Sequence, residues 1–390
     1  MKIVHIQLSG FNEDMGYQEN ILPKYHKLLG HEVSIITSTI KIMPEGMYID
    51  VEPGLSFAKD GIKVIRLSLL RVISSSFSEK LRIVRDLYNT LVSENPDILF
   101  IHGPQSISNL DVIKYLNNLK KKKSKMPVLL VDNHADEFNS AKSKLSKSIH
   151  KTLWRHVAKR LSKVTVKFYA VTDSAKEFLI KYYKLPPDKI ELLVMGGDPS
   201  LINFNEVPQI RKEIRNKLNL SEDDFVLITG GKLDEKKGIL DLMRLFLELE
   251  NSNLKLIIFG TVHDAISKQF YTLLSSTDKI KYVGWLDLPE IYRHFVSADL
   301  GVFLGTQSVL WNHCIFCKLP AIFMYWPGMT DFTLGGRFQP CIIIQKATDF
   351  KVTLLKLVED KELFQKLKTD AEKVSQLFSY EYIAKKSIEV

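Results

Sequence analysis

The chain alternates short runs of β-branched and other apolar residues with longer stretches in which apolar positions recur at helical spacing. Lys2–Leu8, His31–Thr37, Ile62–Leu67, Asp97–His102, Val128–Asp132 and Lys167–Val171 each stop at turn or polar residues. Each reads as a strand buried on both faces. A polar stretch then runs from Asp198 to about Asp224. Beyond it the rhythm restarts with Phe225–Thr229, Leu254–Phe259, Lys281–Val283, Leu300–Leu304, Ala321–Phe323 and Cys341–Ile344. Strands alternating with helical segments predict parallel sheets with crossover helices, so the expected class is α/β, two doubly wound domains in tandem. The expected boundaries are 1–198 and 199–375, with a C-terminal helix at about 376–390 packing back on the first domain.

Length and composition agree, because 390 residues at 45% apolar content suffice for two cores. No run of about 18 or more apolar residues occurs, and the opening MKIVHIQLSG enters a strand pattern directly. Neither a spanning helix nor a secretory leader is expected, and the chain reads as cytoplasmic. Cys314, Cys317 and Cys341 are too few and too uneven for a disulfide framework. The Cys314-x-x-Cys317 pair lacks a second pair to close a tetrahedral metal site, so these are read as buried thiols. A formal charge of +9 favours an anionic partner without choosing one.

In open parallel sheets, ligands sit beyond the carboxyl ends of the strands. After the first strand, Gly16 precedes Tyr17-Gln18-Glu19-Asn20, where a glycine lets the backbone approach a ligand at a helix start; a plain loop turn is the alternative. Pro23 argues against a helix running through that point. The strand Val128–Val131 delivers Asp132-Asn133-His134-Ala135-Asp136, and a histidine flanked by carboxylates can hold a sugar hydroxyl or move a proton. His134 is the candidate catalytic residue, and His102 competes with it. A metal held by Asp132, His134 and Asp136 would need a further ligand set that the sequence does not offer.

The second domain opens with Gly230-Gly231-Lys232, then Lys237-Gly238, between a strand end and a helix at Ile239–Leu249. Two lysines and several free N–H groups there suit a diphosphate, although the spacing is not that of a nucleoside-triphosphatase loop. A solvated basic turn is the plainer reading. After Leu300–Leu304, the turn Ser308, Val309 and Leu310 opens an apolar helix whose first N–H groups can face a leaving phosphate, with Asn312 and His313 one turn further in. At residues 144–163, Leu145, Ile149, Leu153, Val157 and Leu161 alternate with Lys147, Lys151, Arg155, Lys159 and Lys163. At about 100° per residue the two lines face opposite ways, as on a helix lying on an anionic membrane or on an ordinary surface helix.

These residues together resemble the retaining GT-B glycosyltransferases of family 4, over essentially the whole chain. The resemblance rests on Gly16–Asn20, Leu29–Val33, Val171–Ser174 with Gly196–Asp198, Gly231–Leu233 with Lys237-Gly238, Val283–Trp285, Ala298-Asp299 and Cys317–Pro320. It implies two Rossmann-like domains facing a cleft, with the acceptor on the first domain and a nucleotide-sugar donor on the second. The donor would be a UDP-sugar and the transferred group a hexosyl or other glycosyl unit, with retention, no metal and no other cofactor. A glycan or lipid-linked acceptor in surface polysaccharide or glycoconjugate synthesis is implied, with a peripheral place at the inner membrane face and no nucleic acid. The family's arginine and lysine for the donor phosphates fall on Lys232 and Lys237. Its two glutamates fall on Gly305 and His313, where both carboxylates are missing. A catalytically silent partner subunit and a nucleotide-sugar epimerase of related fold are the alternatives.

Overall fold

The computed structural model describes residues 1–43, 47–71 and 75–389. The chain forms two compact units: one of Met1–Val194 together with the last stretch from Ala384, the other of Met195–Ile383.

The first unit is built on an eight-stranded sheet. In spatial order its strands are Ile190–Leu192, Lys167–Ala170, Val128–Asn133, Ile98–His102, Lys2–Gln7, Glu32–Ser38, Lys63–Leu67 and Gly54–Phe57. All neighbours run parallel except the edge pair Gly54–Phe57 and Lys63–Leu67. The expected strands are present because their residues are buried on both faces: all five of Ile98–His102 lie inside. From the first strand the chain winds to one side through Glu32–Ser38, and to the other through Ile98–His102. The order therefore reverses between Lys2–Gln7 and Ile98–His102, where a ligand crevice is expected.

Three differences from the sequence pattern have physical causes. Gly54–Phe57 is exposed along its whole length and pairs only as an antiparallel edge, so it carries no buried face that the pattern could mark; Ile40–Ile42 with Tyr48–Asp50 forms a small separate ribbon, three residues a side, in which only Ile40 is buried. Pro23 lies inside the helix Gln18–Leu28 and is buried there. The segment at 144–163 is not one regular helix: α-helix at Lys144–Ile149 gives way to a π-helical stretch at His150–Trp154 and α-helix again at Arg155–Leu161. The wider turn shifts the apolar line, so that Leu145 is 71% exposed while Val157 and Leu161 are buried in the core.

The second unit holds a six-stranded, wholly parallel sheet in the order Ile280–Tyr282, Leu254–Val262, Phe225–Leu233, Leu300–Phe303, Ala321–Met324 and Cys341–Ile344. Its core gathers Leu227, Leu256, Ile258, Phe246, Phe270 and Val302. Here the order reverses between Phe225–Leu233 and Leu300–Phe303, which puts the segments after both strands at one crevice. Cys314, Cys317 and Cys341 are free and buried, and burial pushes the Cys341 thiol up to about 12. The final helix is Tyr380–Ser387, preceded by a short turn at Gln376–Phe378.

One ion cluster locks the entry to this sheet. Asp299 accepts from Arg211 Nη2 and Arg215 Nη2, each at 2.7 Å, and from the Val226 amide at 2.8 Å. Arg215, essentially inaccessible, also donates to the Ser221 and Asp224 carbonyls. Removing one partner of such a buried pair leaves the other charge uncompensated, at about 3–5 kcal/mol. Asp299→Ala is therefore expected to lower stability by about 3 kcal/mol, read as a lower midpoint in chemical denaturation with circular dichroism; an unchanged midpoint would show that the cluster does not hold the sheet.

Candidate active site

At the reversal of the first sheet, a cavity of about 740 Å³ opens beyond the strand ends, with Gln7, Ser9, His102, Gly103, Gln105 and His134 on its polar side. His102 is the last residue of Ile98–His102 and lies in register with Asp132 of Val128–Asn133. That register brings an imidazole and a carboxylate together at the strand ends. His102 Nδ1 sits 2.7 Å from Asp132 Oδ2, and His134 Nε2 lies 3.7 Å from the same oxygen. Asp132 is wholly buried. Burial alone would raise its carboxyl, but the charges of His102 and His134 hold it well below the usual carboxylate range. His134, partly exposed on the cavity wall, is moved in the opposite direction: desolvation lowers it, and the Asp132 charge, the contact with Asp132 and Glu19 together raise it above the ordinary imidazole value. The expected pairing of His102 and His134 as competitors resolves into a shared carboxylate, with only His134 partly open to the cavity. Asp136 points elsewhere: its Oδ1 accepts from the Phe138 and Asn139 amides, and its Oδ2 from Ser174 Oγ.

Behind His102 the hydrogen bonds continue inward. His5 Nδ1 is 3.0 Å from His102 Nε2, His5 Nε2 is 3.0 Å from His26 Nδ1, and His26 Nε2 lies 2.8 Å from Ser387 Oγ and 3.2 Å from the Ala384 carbonyl. Proton counting limits this run to two arrangements. With three neutral rings, each Nδ1–H points toward Asp132 and the Ser387 hydroxyl closes the run by donating to His26. With one added proton beside Asp132, each Nε2–H points away from it, His26 donates to Ala384, and Ser387 keeps its own 2.8 Å bond to that carbonyl. Burial drives the His5 ring well below its ordinary value, and His26 down to about 3, so both of these rings stay neutral in either arrangement.

In the second unit, the two expected donor segments come together at the sheet reversal. The strand Phe225–Leu233 extends through Gly230, Gly231 and Lys232, and Gly231 packs against Leu310, leaving 2.9 Å between an added Cβ and the leucine side chain. Lys232 is exposed, and its side chain has no hydrogen bond or ion pair among the described residues. Lys237 donates from Nζ to the Thr306 carbonyl at 2.7 Å and toward Gln307 O at 3.4 Å, which ties one loop to the other. Ser308, Val309 and Leu310 are half-buried at the start of the helix Val309–Phe316. Gly305 has no room for a side chain, because a Cβ would come within 2.4 Å of the Lys236 carbonyl and of Lys237 Cα. Asn312 and His313 are buried: Asn312 donates to the Met195 carbonyl at 2.8 Å, and His313, held down to about 4 by burial, contacts the Gly196 backbone. Gly16 is exposed just ahead of the helix Gln18–Leu28.

Sequence reasoning missed His5, His26 and Trp285. A histidine inside the run Lys-Ile-Val-His-Ile-Gln is a polar residue at a buried strand position, and that was the available signal. Trp285, 71% exposed just beyond the strand Ile280–Tyr282, stands at the carboxyl edge of the second sheet.

Residues 21–201, just under half of the chain, match the model of Glycosyltransferase Family 4. The fold is of the GT-B type. It is 23% identical over 375 residues to alpha-monoglucosyldiacylglycerol synthase of Acholeplasma laidlawii, covering 92% of this chain and 87% of that protein. An uncharacterized glycosyltransferase of Methanocaldococcus jannaschii is 26% identical over 135 residues, a match that spans only 34% of that relative's length. Among solved structures, Anabaena HepE in complex with UDP-glucose aligns at TM-score 0.64 and 12% identity, over 100% of this chain and 98% of that one. UDP-GlcNAc 2-epimerase from Neisseria meningitidis aligns at TM-score 0.62 and 12% identity, over 100% and 99%. Likeness at these identities shows a shared GT-B fold, which hosts both chemistries.

The neutral rings of this GT-B-type chain make its stability depend on acid. Unfolded imidazoles bind protons near pH 6.5, whereas His26 in the fold does so only near 3. Below about pH 6.5 the unfolded state binds more protons, so stability present above that value is lost as pH falls toward 3, at about 1.4 kcal/mol per pH unit for each ring. Urea unfolding at pH 7 and pH 5 is expected to show this loss, reduced in His26→Phe. Equal stability at the two pH values would mean that the rings are not held neutral.

Proposed function

We propose that this chain transfers a hexosyl group from a UDP-sugar to a glycan or lipid-linked acceptor, with retention of anomeric configuration and without a metal ion. The observation that carries this reading is the crevice of the second unit, where Lys232 stands unpaired beside Lys237 and the start of the helix Val309–Phe316. A diphosphate there meets charge-assisted donors and the positive end of a helix. During transfer the acceptor oxygen forms a bond to the anomeric carbon, the bond from that carbon to the diphosphate breaks, its electron pair leaves with the phosphate, and the acceptor hydroxyl's proton passes to a phosphate oxygen. Preorganised cations lower the barrier where that charge develops. Trp285 offers an exposed aromatic face for the nucleobase.

His134 acts in this reading as a proton-holding group, because Asp132 raises it. It donates a hydrogen bond to a sugar hydroxyl rather than serving as a strong base. Gly16 lets the backbone ahead of the helix Gln18–Leu28 approach a sugar. The absent family glutamates change how the donor is held: no side chain fits at 305, and Asn312 and His313 support the 195–196 backbone. That same observation favours a second reading, a catalytically silent subunit that binds donor and needs a partner enzyme. Surface polysaccharide or glycoconjugate synthesis at the inner membrane face fits the exposed basic residues Lys151, Lys159 and Lys163. No helix among the described residues is long and apolar enough to cross a membrane.

A charge-assisted contact contributes about 1.5–3 kcal/mol, so Lys232→Ala is expected to weaken UDP-glucose binding by about tenfold or more, measured by calorimetry in EDTA. Lys237→Ala is expected to do the same and also to loosen the 305–310 loop. Full affinity in both variants would remove the donor assignment. Binding without release of UDP, whatever acceptor is supplied, would favour the silent subunit, and isomerisation of the sugar nucleotide alone would favour an epimerase.

A further inference from the structure

The cavity of the first unit holds a cation that no described residue neutralises. Arg82 follows the helix Ser75–Leu81 in a left-handed conformation, φ +53°. Its amide donates to the Ser78 carbonyl at 2.9 Å, and its own carbonyl accepts from Ser106 Oγ at 2.8 Å. The backbone that carries the side chain is thus pinned on both sides. The guanidinium has no hydrogen bond or ion pair among the described residues, and its Nε is buried. Burial lowers its proton affinity, and the groups that act against burial are the phenols of Tyr183 and Tyr48 rather than a carboxylate. The charge reaches its neighbour: burial first, and then Arg82, hold His150 down to about 4.

A desolvated cation without a counterion is costly, and a guanidinium fork matches the oxygens of a phosphate. Lys80 lines the same cavity and is exposed, so a doubly charged group would find two cations. The one carboxylate on the wall, Glu19, is engaged by Gln7 Nε2 at 2.9 Å. Leu81, Leu145, Ile149 and Leu153 beside the buried Trp154 give the wall an apolar stretch, while Asn139, Ser140, Ser143 and Ser146 add neutral polar groups. This is where the shifted line of the 144–161 segment leaves Leu145 open.

We propose that this cavity seats an amphiphilic phosphate, its anion on Arg82 and Lys80 and its hydrocarbon on Leu81, Leu145, Ile149 and Leu153. That this molecule is the sugar acceptor, presented toward His134, rests on the transferase reading above. The seat does not need that reading.

Calorimetric titration of the full chain with octyl phosphate, inorganic phosphate and octanol tests the seat, with UDP-glucose titrated in parallel. Octyl phosphate is expected to bind at least tenfold tighter than either of the other two. Arg82→Gln should abolish its advantage over octanol, and Leu145→Ser with Leu153→Ser its advantage over inorganic phosphate, while UDP-glucose binding stays as in the wild type. If Arg82→Gln fails to fold, the exposed Lys80→Gln should still weaken octyl phosphate about threefold. Octyl phosphate binding no tighter than octanol, or unmoved by both cation variants, overturns the proposal. Inorganic phosphate binding as tightly as octyl phosphate overturns the amphiphile. UDP-glucose binding without octyl phosphate binding removes the seat alone, whereas the converse supports the seat and contradicts the transferase reading.

Discussion

The Asp132 carboxylate is the group around which the first unit's chemistry is arranged. It lies next to last in the strand Val128–Asn133, is wholly buried, and stays ionised against its own desolvation because two imidazoles share one of its oxygens. An isolated carboxylate at that depth would take up a proton. Its charge holds a proton on His134 at the cavity wall and fixes His102 as a donor. Through His102 it also sets the proton order of His5 and His26, as far as the last turn of the final helix. Change the charge on Asp132 and the hydrogen bonds of four histidines must reverse or break. The Ser387 hydroxyl, able to donate to His26 or to Ala384, is the swivel that lets the run exist in both senses.

The second unit meets a different constraint, the close approach of two loops at a sheet reversal. Gly231, Gly238 and Gly305 each lie where an added Cβ would strike a neighbouring atom within 3 Å. Lys237 binds the opposite loop's carbonyls across that gap. The absence of a family carboxylate at 305 is thus a packing requirement as well as a chemical change; the Lys232 side chain has no partner among the described residues. The two reversals use the same principle with opposite chemistry: a buried anion organises the first, and cations with helix-end N–H groups organise the second.

The interior strands were legible because parallel strands covered on both faces must be continuously apolar, as in Ile98–His102 and Val128–Asn133. Gly54–Phe57 was not, because none of its residues is buried. The π-helical stretch at His150–Trp154 left no mark in a pattern assumed to advance by a constant angle, and it moved Leu145 from an expected helix stripe to a cavity wall. His134, Lys232 and Lys237 could be named from their places after strands. The depth of Asn312 and His313 could not, since an eight-residue helix that is apolar on every side gives no preferred face. Arg82 had no motif at all; a left-handed residue after a short helix and the lack of an anion exist only in three dimensions.

Amide hydrogen exchange with and without UDP-glucose addresses the central claim most directly. Slowed exchange is expected at 230–238 and 305–310 of the second unit, the two loops that meet at its sheet reversal. Protection confined to the first unit's cavity, or none in those two loops at saturating UDP-glucose, would contradict it.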